Sequence, residues 1–177
     1  MKPNSTNVAI KWSVFYLLTS IILTYLYQFL NVDPTSAVKY IGFIALFAFL
    51  FLSQKEFKEQ LGGYISYGDA FVNGLWYSLF SGLMLAIFSY LYFAILSPAA
   101  LDKMLAVTQA QMEAKGTATP EQIATSMDFM KKFGIYFFTI GSGIGIIFFG
   151  IIGALITAAI LKKDRSPLDI AENSPIN

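Results

Sequence analysis

The feature that most constrains this chain is the grouping of its charges, which leaves four long uncharged blocks. Trp12 to Val32 holds 21 uncharged residues, Tyr40 to Gln54 holds 15, Ala70 to Leu101 holds 32 and Phe133 to Leu161 holds 29. A helix rising about 1.5 Å per residue needs roughly 20 residues to cross a hydrocarbon core of about 30 Å. Three blocks reach that length directly. The second reaches it when Ser36 to Val38 join it and Lys39 snorkels to the headgroups. Its core from Ile41 to Leu52 is strongly apolar, and a re-entrant segment is the alternative. Chains in lipid must satisfy their own backbone hydrogen bonds, and no alternating barrel-strand pattern is present, so the spans are expected to be helical. The expected fold class is all-α: a polytopic membrane protein with four transmembrane helices over about 10–32, 36–53, 70–97 and 133–161, within one membrane domain covering 1–177. The first span exceeds the apolar core of about 7 to 15 residues usual in a signal peptide, and is expected to be retained.

Composition narrows the function. Only 13% of residues are charged against 56% hydrophobic, whereas a soluble domain carries about 25% charge. Net charge is +1, from 12 Lys and Arg against 11 Asp and Glu, which gives no basic excess for a nucleic acid partner. The chain has no Cys and no His. Thiolate nucleophiles, disulfides, imidazole acid–base groups and the usual haem and zinc ligands are therefore missing, and no cofactor, metal or catalytic residue is expected. The spans carry no ionisable residue at mid-depth, which argues against a proton-coupled pump. Ser13, Thr19, Ser20, Thr24, Gln28, Ser81 and Ser89 remain as neutral polar groups, the hydroxyls expected to bond back to their own helices. Tyr16, Tyr25, Tyr27, Tyr77, Tyr90 and Tyr92 are read as interface anchors and packing.

Residues 98–132 read as an αα-hairpin at one membrane surface. Ser97 is placed to N-cap with Pro98 at the first helical position, and Leu101, Met104, Leu105, Thr108 and Met112 recur at helical spacing up to Gly116. Thr119 to Gln122 forms a capping box, followed by Ile123, Met127 and Met130 on one face. That apolar face either packs on the span ends and headgroups or forms a docking surface lined by Met104, Met112, Met127 and Met130. Residues 162–177 form a polar tail. Lys2, Lys11, Lys55, Lys58, Lys162, Lys163 and Arg165 fall on one side, and Lys39, Lys103, Lys115, Lys131 and Lys132 on the other. The excess favours both termini in the cytoplasm.

Small residues recur along two spans: Gly74, Ser78, Gly82 and Ala86 in the third, and Gly141, Gly145, Gly150 and Ala154 in the fourth. Such spacing lets helix backbones approach closely in lipid. It implies either packing of the third span on the fourth or homo-oligomerisation through the fourth. Asp69, at the start of the third span, is read as a stabiliser of a helix N-terminus, with cation binding or protonation as its functional alternative.

The order of parts resembles an uncharacterised bacterial membrane family, domain of unknown function 4199, common in Bacteroidetes-type bacteria. The matching features are the run Gly63-Tyr-Ile-Ser-Tyr-Gly-Asp-Ala-Phe71, Tyr90 and Tyr92 with Pro98 soon after, the polar helical insert, and the Gly-rich last span ending Ile160-Leu-Lys-Lys163. The resemblance implies four spans in a bacterial inner membrane and carries no catalytic residue. The expected function is non-enzymatic association with a membrane-protein partner or a second copy, as a structural or accessory subunit in the lipid bilayer. The alternative is a small oligomeric transporter or channel for an uncharged or weakly charged solute. A third reading, a lipid-acting enzyme, would use Asp69, Asp102 or interfacial tyrosines.

Overall fold

Asn4 opens the first helix by accepting hydrogen bonds from the backbone N–H groups of Thr6 and Asn7, at 2.9 and 3.3 Å. The computed structural model describes residues 3–32 and 36–164, with the Lys39 side chain excepted. The helices are α1 (Ser5–Phe29), α2 (Ile41–Gln60), α3 (Tyr67–Leu91), α4 (Pro98–Lys115) and α5 (Pro120–Leu161). A 3-10 turn, Ala37–Tyr40, leads into α2, and a π turn, Tyr92–Leu96, follows α3. Lys2 and the expected tail from Arg165 onward lie outside the described residues, as does the Lys39 side chain that was expected to snorkel.

The helix ends follow local chemistry. Asn31 at φ 48° and Gly62 at φ 81° take the left-handed conformation that closes α1 and α2. In each case the next two N–H groups turn back on the last turn: Asn31 and Val32 onto Gln28 and Tyr27, Gly62 and Gly63 onto Glu59 and Lys58. Thr119 and Gln122 exchange the two bonds of a capping box at the start of α5. Ser97 departs from expectation: it makes no side-chain cap bond, and its hydroxyl instead accepts from the Gln28 amide at 3.3 Å.

Two expectations are corrected. Among the described residues three helices, not four, are long and apolar enough to cross a membrane: Ser5–Phe29, Tyr67–Leu96 and Pro120–Leu161. Segment 36–53 does not qualify because its first residues form the 3-10 turn and the last turns of α2 carry Lys55, Glu56, Lys58 and Glu59. The hairpin's second arm is also not a separate helix. Nothing between Met130 and Ile135 breaks the chain, so that arm runs on into the last span as one helix of 42 residues.

Helices α1, α2, α3 and α5 pack side by side, with the α3–α5 seam the most extensive. The seam is built from small residues. A methyl group placed on Gly74 would lie 2.5 Å from the Ala154 Cβ, and one on Gly150 would lie 2.5 Å from the Ser78 hydroxyl. A methyl on Gly82 would lie 2.7 Å from the Gly143 carbonyl oxygen, and one on Gly143 would lie 3.0 Å from the Ala86 Cβ. Gly74, Ser78, Gly82, Ala86, Gly150 and Ala154 therefore all sit in one intramolecular seam. Gly141 and Gly145 do not, since nothing lies within 4 Å of a methyl on either. Gly143, between them, takes the place in the seam, and Gly153 packs on Phe47 of α2. Gly82→Ala and Gly150→Ala are expected to lower thermal stability in detergent by about 1–3 kcal/mol each, while Gly145→Ala leaves the melting temperature unchanged or raises it.

Candidate functional site

A group of polar side chains is buried within the apolar interior, and large apolar side chains cover the exterior. Ser13, Ser53, Gln54, Asn73 and Ser78 are completely buried, while Ile87, Phe137 and Ile160 are each more than 60% exposed. In water this arrangement would leave a large apolar surface uncovered. In lipid it is the expected one, since buried polar groups bond across helices and the outer face meets hydrocarbon.

The buried polar groups lie in two regions. Nearer the chain's N-terminal end, Ser53 donates to the Asn73 Oδ1 at 2.9 Å, and the Asn73 amide donates to the Ser5 carbonyl oxygen at 3.0 Å. The Gln54 amide nitrogen lies 3.0 Å from the Ala70 carbonyl oxygen and 3.4 Å from that of Ala154. It fits there because Gly74 has no side chain: a methyl on Gly74 would stand 2.6 Å from it. Two carbonyls fix the orientation of the amide, because a flipped Gln54 would turn its oxygen onto both. The Gln54 Oε1 is left buried and without a hydrogen-bond partner. Further into the bundle, Ser13 lies within hydrogen-bond distance of the Ala9 and Tyr77 carbonyls, Ser81 lies 3.2 Å from Ser13, and Tyr77 donates to the Leu46 carbonyl at 3.1 Å. These bonds join α1, α2, α3 and α5 through side chains that carry no charge.

Charged groups gather at the end where α1 begins, α2 and α5 finish and α3 starts. Glu56 of α2 accepts hydrogen bonds from the Lys11 ammonium and, at 2.7 Å, from the Trp12 indole N–H of α1. Lys58 donates to the Leu161 carbonyl at 2.8 Å, which satisfies an open acceptor at the negative end of α5. Ile65 and Lys163 exchange two backbone bonds of 3.0 and 2.9 Å, and the Lys163 ammonium lies 5.0 Å from the centre of the Tyr64 ring. Thus charges in the last turns of α2 tie this end together, Glu56 to α1 and Lys58 to α5.

A family model matches residues 11–163, from Lys11 to Lys163. The chain belongs to the DUF4199 family, described as proteins of unknown function. No curated protein and no solved structure matches it. Within this DUF4199 chain the Gly63–Phe71 run occupies the hub of the charged end. Gly63 ends the turn after α2, Tyr64 and Ile65 meet Lys163, and Ala70 is fully buried with its carbonyl against Gln54. Asp69 is exposed in the first turn of α3, whose N-cap is Ser66: the Asp69 N–H donates to the Ser66 hydroxyl at 3.1 Å, and that hydroxyl donates to the Asp69 carboxylate at 2.6 Å. Asp102, on α4, lies in a different part of the structure and is exposed. Among the described residues no three His, Cys, Asp or Glu side chains are grouped to hold a metal ion.

Burial alone would raise the Glu56 carboxyl, but the hydrogen bonds from Lys11 and Trp12, the Lys11 charge and the Gln60 amide outweigh it and hold the pKa below the ordinary 4.5. A group depressed on folding contributes stability that is present above its ordinary pKa and is lost as pH falls through the folded value. Thermal melts from pH 7 downward are therefore expected to show the wild type losing more stability below pH ~4.5 than Glu56→Gln, which removes this titration.

Proposed function

We propose that this DUF4199 protein is a multi-pass inner-membrane protein without catalytic activity, which presents a helical hairpin for association at one membrane surface. The observation that carries the reading is that α4 and the start of α5 have a core of their own. Leu105, Ile123 and Met127 are buried together there, apart from the clusters among α1, α2, α3 and α5. Met112 and Met130 pack against this small core, while Met104 is exposed, so the methionines mostly fill the hairpin's interior. At about 1.5 Å per residue, the 42 residues of α5 extend roughly 63 Å, twice the thickness of a hydrocarbon core of about 30 Å. Its first third and α4 then stand clear of the bilayer.

In this reading α2 packs among the three membrane-crossing helices rather than counting as a span of its own. Leu46 and Leu50 are fully buried in the bundle, and the charged turns from Lys55 onward reach the surface beside Lys11 and Lys163. That basic end faces the cytoplasm, which places the hairpin on the opposite side.

Ala110 of α4 is exposed, and the chain has no native Cys. Ala110→Cys in intact spheroplasts is expected to react with a membrane-impermeant maleimide; reaction only after lysis would invert the orientation. A bifunctional maleimide in native membranes should join Ala110→Cys into a discrete higher-mass species, while Ile87→Cys on the lipid face gives none. Monomer alone with both variants would overturn the association reading.

A further inference from the structure

A cavity of about 210 Å³ between the second half of α1 and the start of α2 has no part in hairpin association. It is far larger than the roughly 10–15 Å³ a single water requires. One wall is a file of hydroxyl side chains, Tyr16, Ser20, Thr24 and Tyr27, at intervals of four, four and three residues and therefore on one face of α1. The rest of the wall is apolar, from Leu23, Phe43, Leu85 and Ile146. Gly42 borders the cavity with nothing within 4 Å of where a methyl would stand.

The hydrogen bonding of the file defines what it accepts. Ser20 donates to the Tyr16 carbonyl at 2.9 Å, Thr24 to the Ser20 carbonyl at 2.8 Å and Tyr27 to the Val38 carbonyl at 2.9 Å. A hydroxyl has one hydrogen and two lone pairs, so these three groups have lone pairs left to offer. An anion would meet those lone pairs, and a cation would find no carboxylate among the described lining residues to balance it. The complementary occupant is uncharged, brings its own donor hydrogens and has an apolar body for the other wall.

We infer that this cavity binds the hydroxyl headgroup of an uncharged amphiphile of the monoacylglycerol type, lying in the bilayer beside α1 and α2. Free glycerol is a soluble source of the same chemistry. The site stands independently of the hairpin reading, because none of its lining residues belongs to α4 or to the first turns of α5.

The test uses the full chain in phosphatidylcholine vesicles with a photoreactive 1-monoacylglycerol. Adducts are expected to concentrate on peptides spanning 16–28 and 41–47, and to fall when excess 1-oleoylglycerol is added. Gly42→Leu fills the cavity and should abolish them. Thr24→Val keeps the volume but removes one acceptor, and should reduce them about threefold to tenfold, as loss of one hydrogen bond does. Melting temperatures confirm that both variants fold. Competition by glycerol would uphold the site and assign it to a soluble polyol. Adducts spread over exposed positions such as Ile87 and Ile156, and unchanged in Gly42→Leu, would overturn the inference and leave only surrounding lipid and water.

Discussion

The close approach of the α3 and α5 backbones is the constraint on which the rest of the bundle depends. Lipid gives no hydrophobic drive for helices to associate, so contact has to come from short separations and from polar groups that meet across them. Gly82 against Gly143 and Ser78 against Gly150 bring the backbones together. The same removal of side chains uncovers carbonyl oxygens. Gly74 leaves room for the Gln54 amide to reach Ala70 and Ala154, and the Ser78 hydroxyl turns back onto the Gly74 carbonyl at 2.7 Å. The buried polar bonds and the small-residue seam are therefore one device: α2 is bound into the bundle through an opening that the α3–α5 seam creates.

Much of this was legible because it rests on local rules. Charge spacing marked the long apolar helices, and Pro98, Gly116 and the Thr119–Gln122 box marked the ends of α4 and the start of α5. The α3 side of the seam followed a strict four-residue repeat. The α5 side did not, because a helix of 3.6 residues per turn keeps one face by alternating steps of four and three. Gly143, Ile147, Gly150 and Ala154 obey that alternation, whereas Gly141 and Gly145 begin it two residues out of phase. The triplet Gly141, Gly143, Gly145 held the answer, and only the partner helix could choose among its members.

Other features depend on contacts that no window of sequence contains. The charges that end α2 looked like a span boundary, yet Glu56 and Lys58 are matched to groups more than 40 and 100 residues away in the chain. Gln54 looked like the polar end of an apolar block, and it lies fully buried between two helices. The hydroxyls of α1 were expected to bond to their own helix, and Ser13, Ser20 and Thr24 do so. That these bonds leave acceptors beside a cavity depends on the open space at Gly42 of α2, which no window of α1 contains.

The unbroken run of α5 has a mechanical consequence. Its C-terminal end is clamped by Lys58 and by the Ile65–Lys163 pair, and its other end carries α4. The part of α5 beyond the seam, from Gly143 to Pro120, is a lever of about 35 Å: a tilt of about 5° at the seam displaces its far tip by about 3 Å. Force applied to the hairpin would reach, through the same helix, the Ala154 carbonyl that faces the Gln54 amide. The two ends of the molecule are thus joined by a single stiff element rather than by a chain of side-chain contacts.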